Sequence, residues 1–316
     1  MGVFAPKIFH VTERRMKSRH PAAWAYFALL LATLIWGASF VMMKQALMYV
    51  DTYYLLAIRF GSAALILGAL FHHRLLRCQN AGLWQSLLCG VFLFVAYAFQ
   101  TEGLKGTTPG KNAFLTAVDC ILVPFLVWFV YGRRPTIFNL LAGLFGLCGI
   151  GCISLDARLT IGTGDLLTIL GGFFFAVHII AVAKLSAKYD ILALTAVQFT
   201  AVGVLSFLFA LMFNRPPRVL GFDTAFSLVY LCLFATAVAF LCQSFGQTKI
   251  SPASTSLILC LEAIFSVFFS FLFSLEPLNL RMIAGFALIL CGVVVSEILP
   301  RWRTVSSPKA DQNRLP

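Results

Sequence analysis

The sequence predicts an all-α integral membrane protein whose ten transmembrane helices form two inverted five-helix repeats, and three observations carry the prediction. Of 316 residues 60% are hydrophobic and 11% charged, with a mean hydropathy of +0.91, which excludes an ordinary soluble domain. The apolar residues fall into ten runs, each of the roughly 20 residues a helix needs to cross a bilayer. The second half then repeats polar landmarks of the first at a nearly constant offset.

Residues 1–21 form a basic tail, with Arg14, Arg15, Lys17 and Arg19 ahead of an apolar run that begins near Ala22. That run outlasts the apolar core of a signal peptide and further spans follow it, so it reads as an uncleaved first helix. The expected spans are 22–48, 52–71, 82–102, 110–131 and 136–155 in the first repeat (22–155). Those of the second repeat (164–299) are 164–185, 191–213, 222–246, 252–274 and 279–299. The turns between them are short and carry Pro, Gly or charge, as at 132–135 and 215–218, which suits antiparallel neighbours. A polar tail, 300–316, ends the chain, and nothing is left over for a soluble domain.

Orientation follows from counting Lys and Arg by loop. With the N-terminus inside, 16 fall on the inner side and seven on the outer, while Arg59 lies within a span. Both termini are therefore expected in the cytoplasm. The net charge of +12 comes from these short gaps and tails rather than from a basic patch with interleaved aromatics, so no nucleic-acid partner is expected. The partners implied are the lipid bilayer and a small-molecule metabolite, and the short loops favour a bacterial cytoplasmic membrane.

With an offset of 143, Ala96, Gln100, Gly103, Pro109, Ile121 and Phe125 coincide with Ala239, Gln243, Gly246, Pro252, Ile264 and Phe268, and Asp119 meets Glu262. An offset of 139 aligns AIRF at 57–60 with AVQF at 196–199. Five helices per copy is an odd number, so the second copy enters the membrane from the opposite side. Inverted repeats recur in secondary transporters, because two similar halves of opposite topology can open a midplane site to either side in turn.

The stretch from Thr107 to Pro135 places Asp119 near the middle of an apolar run, where a carboxylate costs roughly 2.5–3.5 kcal/mol on insertion scales. Asn112, Thr116 and Asp119 share one helix face, and Thr255 and Glu262 repeat its outer positions in the second copy. Two carboxylates facing the middle from related helices read as a proton site whose exposure to each side in turn couples proton movement to substrate. The competing reading is a hydrogen-bonded strut. Arg59 needs a carboxylate, carbonyls or an anionic substrate group. Gln100, Gln243 and Gln198, the last at the second-copy counterpart of Arg59, are cavity-lining candidates or interhelical links. His178 could titrate or simply be hydrogen-bonded. Trp36 and Tyr97 could wall a ligand or pack. Lys44 and Lys111, near the outer helix ends, could gate or snorkel.

Nine cysteines are scattered singly without metal-ligand spacing, and Cys148 and Cys152 read as packing residues. No nucleotide-binding loop, metalloprotease helix or nucleophile elbow occurs, so no cofactor, metal or catalytic residue is expected. Small-residue patterns from Gly143 to Gly151 and Gly285 to Gly292 allow close helix contact, within the bundle or at a homodimer face.

The pieces together resemble the drug/metabolite transporter superfamily in its ten-helix EamA-type branch. The resemblance covers about residues 22–299 and rests on WGASFVMMK at 36–44, RF at 59–60, the proline-led fourth helix with its short basic turn, and LEAIFSVFFSFLFSLEPLNLRMIAGFALILCG at 261–292. It implies a carrier without ATPase activity that moves small metabolites, often outward, through a cavity between the halves; an amino acid or related compound is the expected substrate. The chain departs from the family at YGRRP, where many relatives carry an acidic residue, and at Ala263, where a Pro often follows the Glu. A lipid-modifying membrane enzyme and a non-transporting scaffold are the alternatives. The first would need acids and histidines clustered at one membrane face, and the second has no need of paired midplane carboxylates.

Overall fold

The computed structural model describes residues 20–132, 134–154, 162–217, 221–273, 275, 280–297 and 299, and every regular element among them is helical. The basic tail up to residue 19, Arg133, Arg158, Arg218, residues 276–279 and the tail 300–316 lie outside the described residues. Most of the charge bias behind the expected orientation lies there with them.

The chain runs through α1 (His20–Ala46), α2 (Thr52–Leu70), the short α3 (His72–Leu76), α4 (Asn80–Lys105), α5 (Pro109–Thr116), α6 (Asp119–Tyr131) and α7 (Ile137–Ser154). It continues through α8 (Thr163–Ser186), α9 (Ile191–Phe213), α10 (Phe222–Tyr230), a π-helical segment π1 (Leu231–Val238), α11 (Ala239–Gln247), α12 (Pro252–Leu259), α13 (Leu261–Leu272) and α14 (Leu280–Glu297). Among the described residues eight helical stretches are long and apolar enough to cross a membrane, so the chain is a multi-pass membrane protein. They coincide with eight of the ten expected spans. The other two expectations, 136–155 and 279–299, fall on α7 and α14, whose apolar stretches Ile137–Gly149 and Ile283–Gly292 are shorter.

Three of the expected single spans are interrupted. The fourth divides into α5 and α6 at Ala117 and Val118, where Val118 N–H turns back to Leu115 O at 3.3 Å and Cys120 N–H to Ala117 O at 3.2 Å. Pro124, inside α6, cannot donate to the carbonyl of the preceding turn and loosens it. The ninth divides into α12 and α13 at Cys260, without a proline. The eighth runs through π1, eight residues of wider winding that leave backbone carbonyls available to neighbours. Both broken spans begin alike: Pro109 and Pro252 sit in the first turn, where their missing N–H costs nothing, behind Thr108 and Ser251, which accept from Lys111 N–H at 3.4 Å and Ser254 N–H at 3.2 Å.

The principal contacts join the two halves: α2 packs on α9, α4 on α8 and α9, α1 on α13 and on the α10–π1–α11 span, and α7 on α14. Polar clips fasten α2 to α9 at both ends. Asn214 Oδ1 accepts from Tyr53 N–H at 2.8 Å and Asp51 Oδ2 from Arg215 N–H at 3.1 Å at one membrane face, while Arg74 and Asp190 pair at 2.8 Å at the other. The small-residue patterns serve contact within the chain: a Cβ at Gly149 would lie 2.8 Å from Gly285 O, and one at Gly292 3.0 Å from Ala142 O.

Candidate functional site

Helices α1, α2, α4, α5, α6, α8, α11, α12 and α13 surround a cavity of about 40 Å³, room for a few water molecules. Eight residues singled out from the sequence line it: Trp36, Arg59, Tyr97, Gln100, Asp119, His178, Gln243 and Glu262. The helix break explains how the acids reach it, because Asp119 opens α6 and Glu262 stands in the first turn of α13. Each carboxylate thus lies at the N-terminal end of a half-helix, where unpaired N–H groups and the helix dipole favour an anion. Asp119 is buried, and Glu262 is half-buried without a hydrogen-bond partner among the described residues.

Arg59 is 1% exposed, and all its contacts are to neutral groups. Its Nε donates to Thr236 Oγ1, and its Nη2 to Ala235 O at 3.2 Å and to Tyr97 Oη at 3.4 Å, while the guanidinium carbon lies 4.7 Å from the Tyr97 ring centroid. Ala235 and Thr236 belong to π1, whose Ala235 carbonyl also accepts from Trp36 Nε1 at 2.7 Å. The ion pairs among the described residues are Arg74–Asp190, Lys105–Glu102 and Lys111–Asp165. One cavity therefore holds a guanidinium with no carboxylate beside it and two carboxylates with no cation beside them.

The walls are aromatic. Phe240 meets Trp36 edge-on with ring centroids 5.1 Å apart, and Tyr97 meets Phe175 at 5.0 Å. His178 Nε2–H donates to Gln198 Oε1 at 2.8 Å, since the amide oxygen can only accept, and the imidazole also borders the cavity.

Three other candidates stand outside the lining. Gln198 is spent on His178. Asn112 donates from Nδ2 to Thr168 Oγ1 at 2.7 Å and to Gln100 O at 3.2 Å, tying α5 to α8 and α4. Thr255 is fully buried and its hydroxyl has no partner among the described residues. Of the lysines, Lys44 Nζ donates to Leu104 O at 2.7 Å and Thr107 O at 2.8 Å, and Lys111 pairs with Asp165 at 2.8 Å. Sequence reasoning gave Thr116 only as part of a helix face and missed Ser39, Phe40, Met43, Phe175, Ile179, Phe240 and Leu259 in the lining. Helical spacing from Trp36, His178 and Gln243 could have found most of them, since they lie three, four or seven residues away. Among the described residues no group of three or more His, Cys, Asp or Glu side chains could hold a metal.

The chain matches the EamA-like transporter family over residues 23–155 and 162–297. It is 27% identical over 281 residues to an uncharacterized transporter of Archaeoglobus fulgidus, covering 87% of this chain and 86% of that one. It is 29% identical over 258 residues to a second such protein of the same organism, covering 78% and 88%. The uncharacterized transporter YvbV of Bacillus subtilis is 25% identical over 281 residues, 84% of this chain and 90% of that one. A crystal structure sharing 18% identity superposes with a TM-score of 0.73 over 90% of this chain and 99% of its own, a likeness of fold.

Proposed function

Because the chain belongs to the EamA-like transporter family, and so is a membrane transporter, we propose that it is a secondary carrier that exports a small zwitterionic metabolite, an amino acid or a close relative, by alternating access. The observation that carries this reading is the unneutralised charge around one cavity, which Arg59, Asp119 and Glu262 all line. A zwitterion completes such a site: its carboxylate meets the guanidinium fork, its ammonium meets the acids, and the aromatic walls take its side chain. Without a substrate, protons serve the carboxylates instead, so substrate and proton compete for one place, as coupled transport or exchange requires.

The same reading takes α7 and α14 as the fifth and tenth crossings and the two halves as inverted repeats. It is supported by packing in which first-half helices meet second-half ones, and by the like positions of the two helix breaks beside Asp119 and Glu262. Both termini then face the cytoplasm, that of a bacterial cell membrane, and the Lys111–Asp165 pair and Lys44 close the outer face. A cavity of about 40 Å³ is too small for an amino acid, so the halves must part to admit one. Transport is the whole activity, and no bond of the substrate changes.

The test is proton movement into proteoliposomes containing the purified protein, followed with an internal pH dye while pools of amino acids, nucleosides, sugars or polyamines are added. Amino acids are expected to give a pH change that Asp119→Asn removes. Radiolabelled exchange without any pH change would overturn the coupling, and no flux of any pool would overturn the carrier reading itself.

A further inference from the structure

We propose that Gln243 is the specificity residue of the cavity, the group that reads a neutral hydrogen-bonding substituent on the substrate side chain; this rests on the carrier reading above. Two glutamines that the sequence makes equivalent differ in what they bond. Gln100 and Gln243 stand 143 residues apart and both line the cavity, each 4% exposed. Gln100 is already engaged. Its Nε2 donates to Thr116 Oγ1 at 3.0 Å, and Thr116 passes its own proton to Asn112 O at 2.9 Å, which fixes Thr116 as the acceptor and the Gln100 amide as the donor.

In the second copy that chain cannot form. The position equivalent to Thr116 is Leu259, which also lines the cavity and offers Gln243 nothing to bond. The position equivalent to Asn112 is Thr255, whose hydroxyl is itself without a partner among the described residues. Among the described residues the Gln243 amide has no hydrogen-bond partner, so two donors and an acceptor are left at the wall of the cavity. A buried amide in that condition favours a ligand that satisfies it, and it discriminates against one that leaves it unpaired. Arg59 and the acids hold the head common to all zwitterions, so Gln243 is left to distinguish side chains, favouring a hydroxyl or amide over a methyl group of the same size.

Valine and threonine are matched in shape and differ by a methyl and a hydroxyl, as are leucine and asparagine in approximate size, so these four serve as probes. Radiolabelled uptake into proteoliposomes would be measured for the wild type, Gln243→Leu, Leu259→Thr and Gln100→Leu. In the wild type KM should be lower for threonine than for valine, and Gln243→Leu should erase that preference, raising KM for threonine and asparagine about tenfold with little change for valine and leucine. Leu259→Thr leaves the glutamine in place but supplies the missing acceptor, and should erode the same preference in the same direction. Gln100→Leu should lower the unfolding midpoint and keep the preference. Equal changes for polar and apolar probes in Gln243→Leu, or no effect of Leu259→Thr on a preference that Gln243→Leu removes, would overturn the assignment. Failure of the wild type to move any of the four would instead count against the carrier reading on which it rests.

Discussion

At the scale of single residues, Arg59 is the most constrained side chain of the cavity. Donors on a rigid plane are held by two hydroxyls, a carbonyl and two aromatic rings, an arrangement that orients a guanidinium without neutralising it. Lysine in its place keeps the charge but cannot reach Thr236 and Ala235 while presenting a fork to a carboxylate. Arg59→Lys should therefore raise KM about 10- to 100-fold with a smaller change in kcat. Uptake kinetics in proteoliposomes would check this, and an unchanged KM would mean that Arg59 only braces π1. The sequence made Arg59, Asp119, Glu262 and the glutamines legible because a polar side chain stands out in an apolar span. Asn112 and Gln198 stand out equally, and the structure bonds them to Thr168, the Gln100 carbonyl and His178 outside the cavity lining, with Asn112 Oδ1 left without a partner among the described residues. Phe175, Phe240 and Leu259 were invisible for the opposite reason: an apolar residue in an apolar helix carries no contrast, whichever way it faces.

At the scale of elements, α5 is the piece most firmly fixed by polar contacts. Lys111 reaches Asp165, Asn112 reaches Thr168 and the Gln100 carbonyl, and Thr116 accepts from Gln100, so α5 is tied to α8 and α4 along its length. Among the described residues its counterpart α12 has Thr255 unpartnered, and nearby Gln247 is buried with neither end of its amide bonded. α5 is thus latched to its neighbours by polar bonds, whereas among the described residues α12 makes no side-chain hydrogen bond to another helix. The Lys111–Asp165 pair is largely shielded, so removing one partner should cost about 1–3 kcal/mol, between the values for exposed and fully buried pairs. Asp165→Asn should lower the unfolding midpoint in detergent. Reversing the pair, Lys111→Asp with Asp165→Lys, should recover only part of the loss, because Asp165 also accepts from Gly162 N–H at 3.0 Å at the start of α8. Full recovery would show that the pair alone matters. Proline and the caps made the starts of α5 and α12 legible in the sequence. Nothing in LCLFATAV announces π1, because its wider winding answers to Arg59 and Trp36 docking on Ala235 O, a tertiary demand.

At the scale of the whole molecule, the helix pairs divide into fastened and separable ones. The α2–α9 pair is clipped at both membrane faces, by Asp51 and Asn214 at one and by Arg74 with Asp190 at the other, and neither helix need move against its partner for the cavity to open. The α5–α8 contact is held by the Lys111–Asp165 pair and the Asn112–Thr168 bond, and on the proposed carrier reading these must break together for the cavity to open outward. Alternating access by rocking of the halves then predicts which restraints transport will tolerate. In a background with the nine native cysteines replaced, cysteines at Asp51 and Arg215 joined by a short flexible crosslinker should leave at least half the transport rate. Cysteines at Lys111 and Asp165 joined by the same reagent should reduce transport to background, and cleaving a reducible version of the linker should restore it. Arrest by the first crosslink would place the moving boundary between α2 and α9, and transport surviving the second would remove α5 and α8 from the gate.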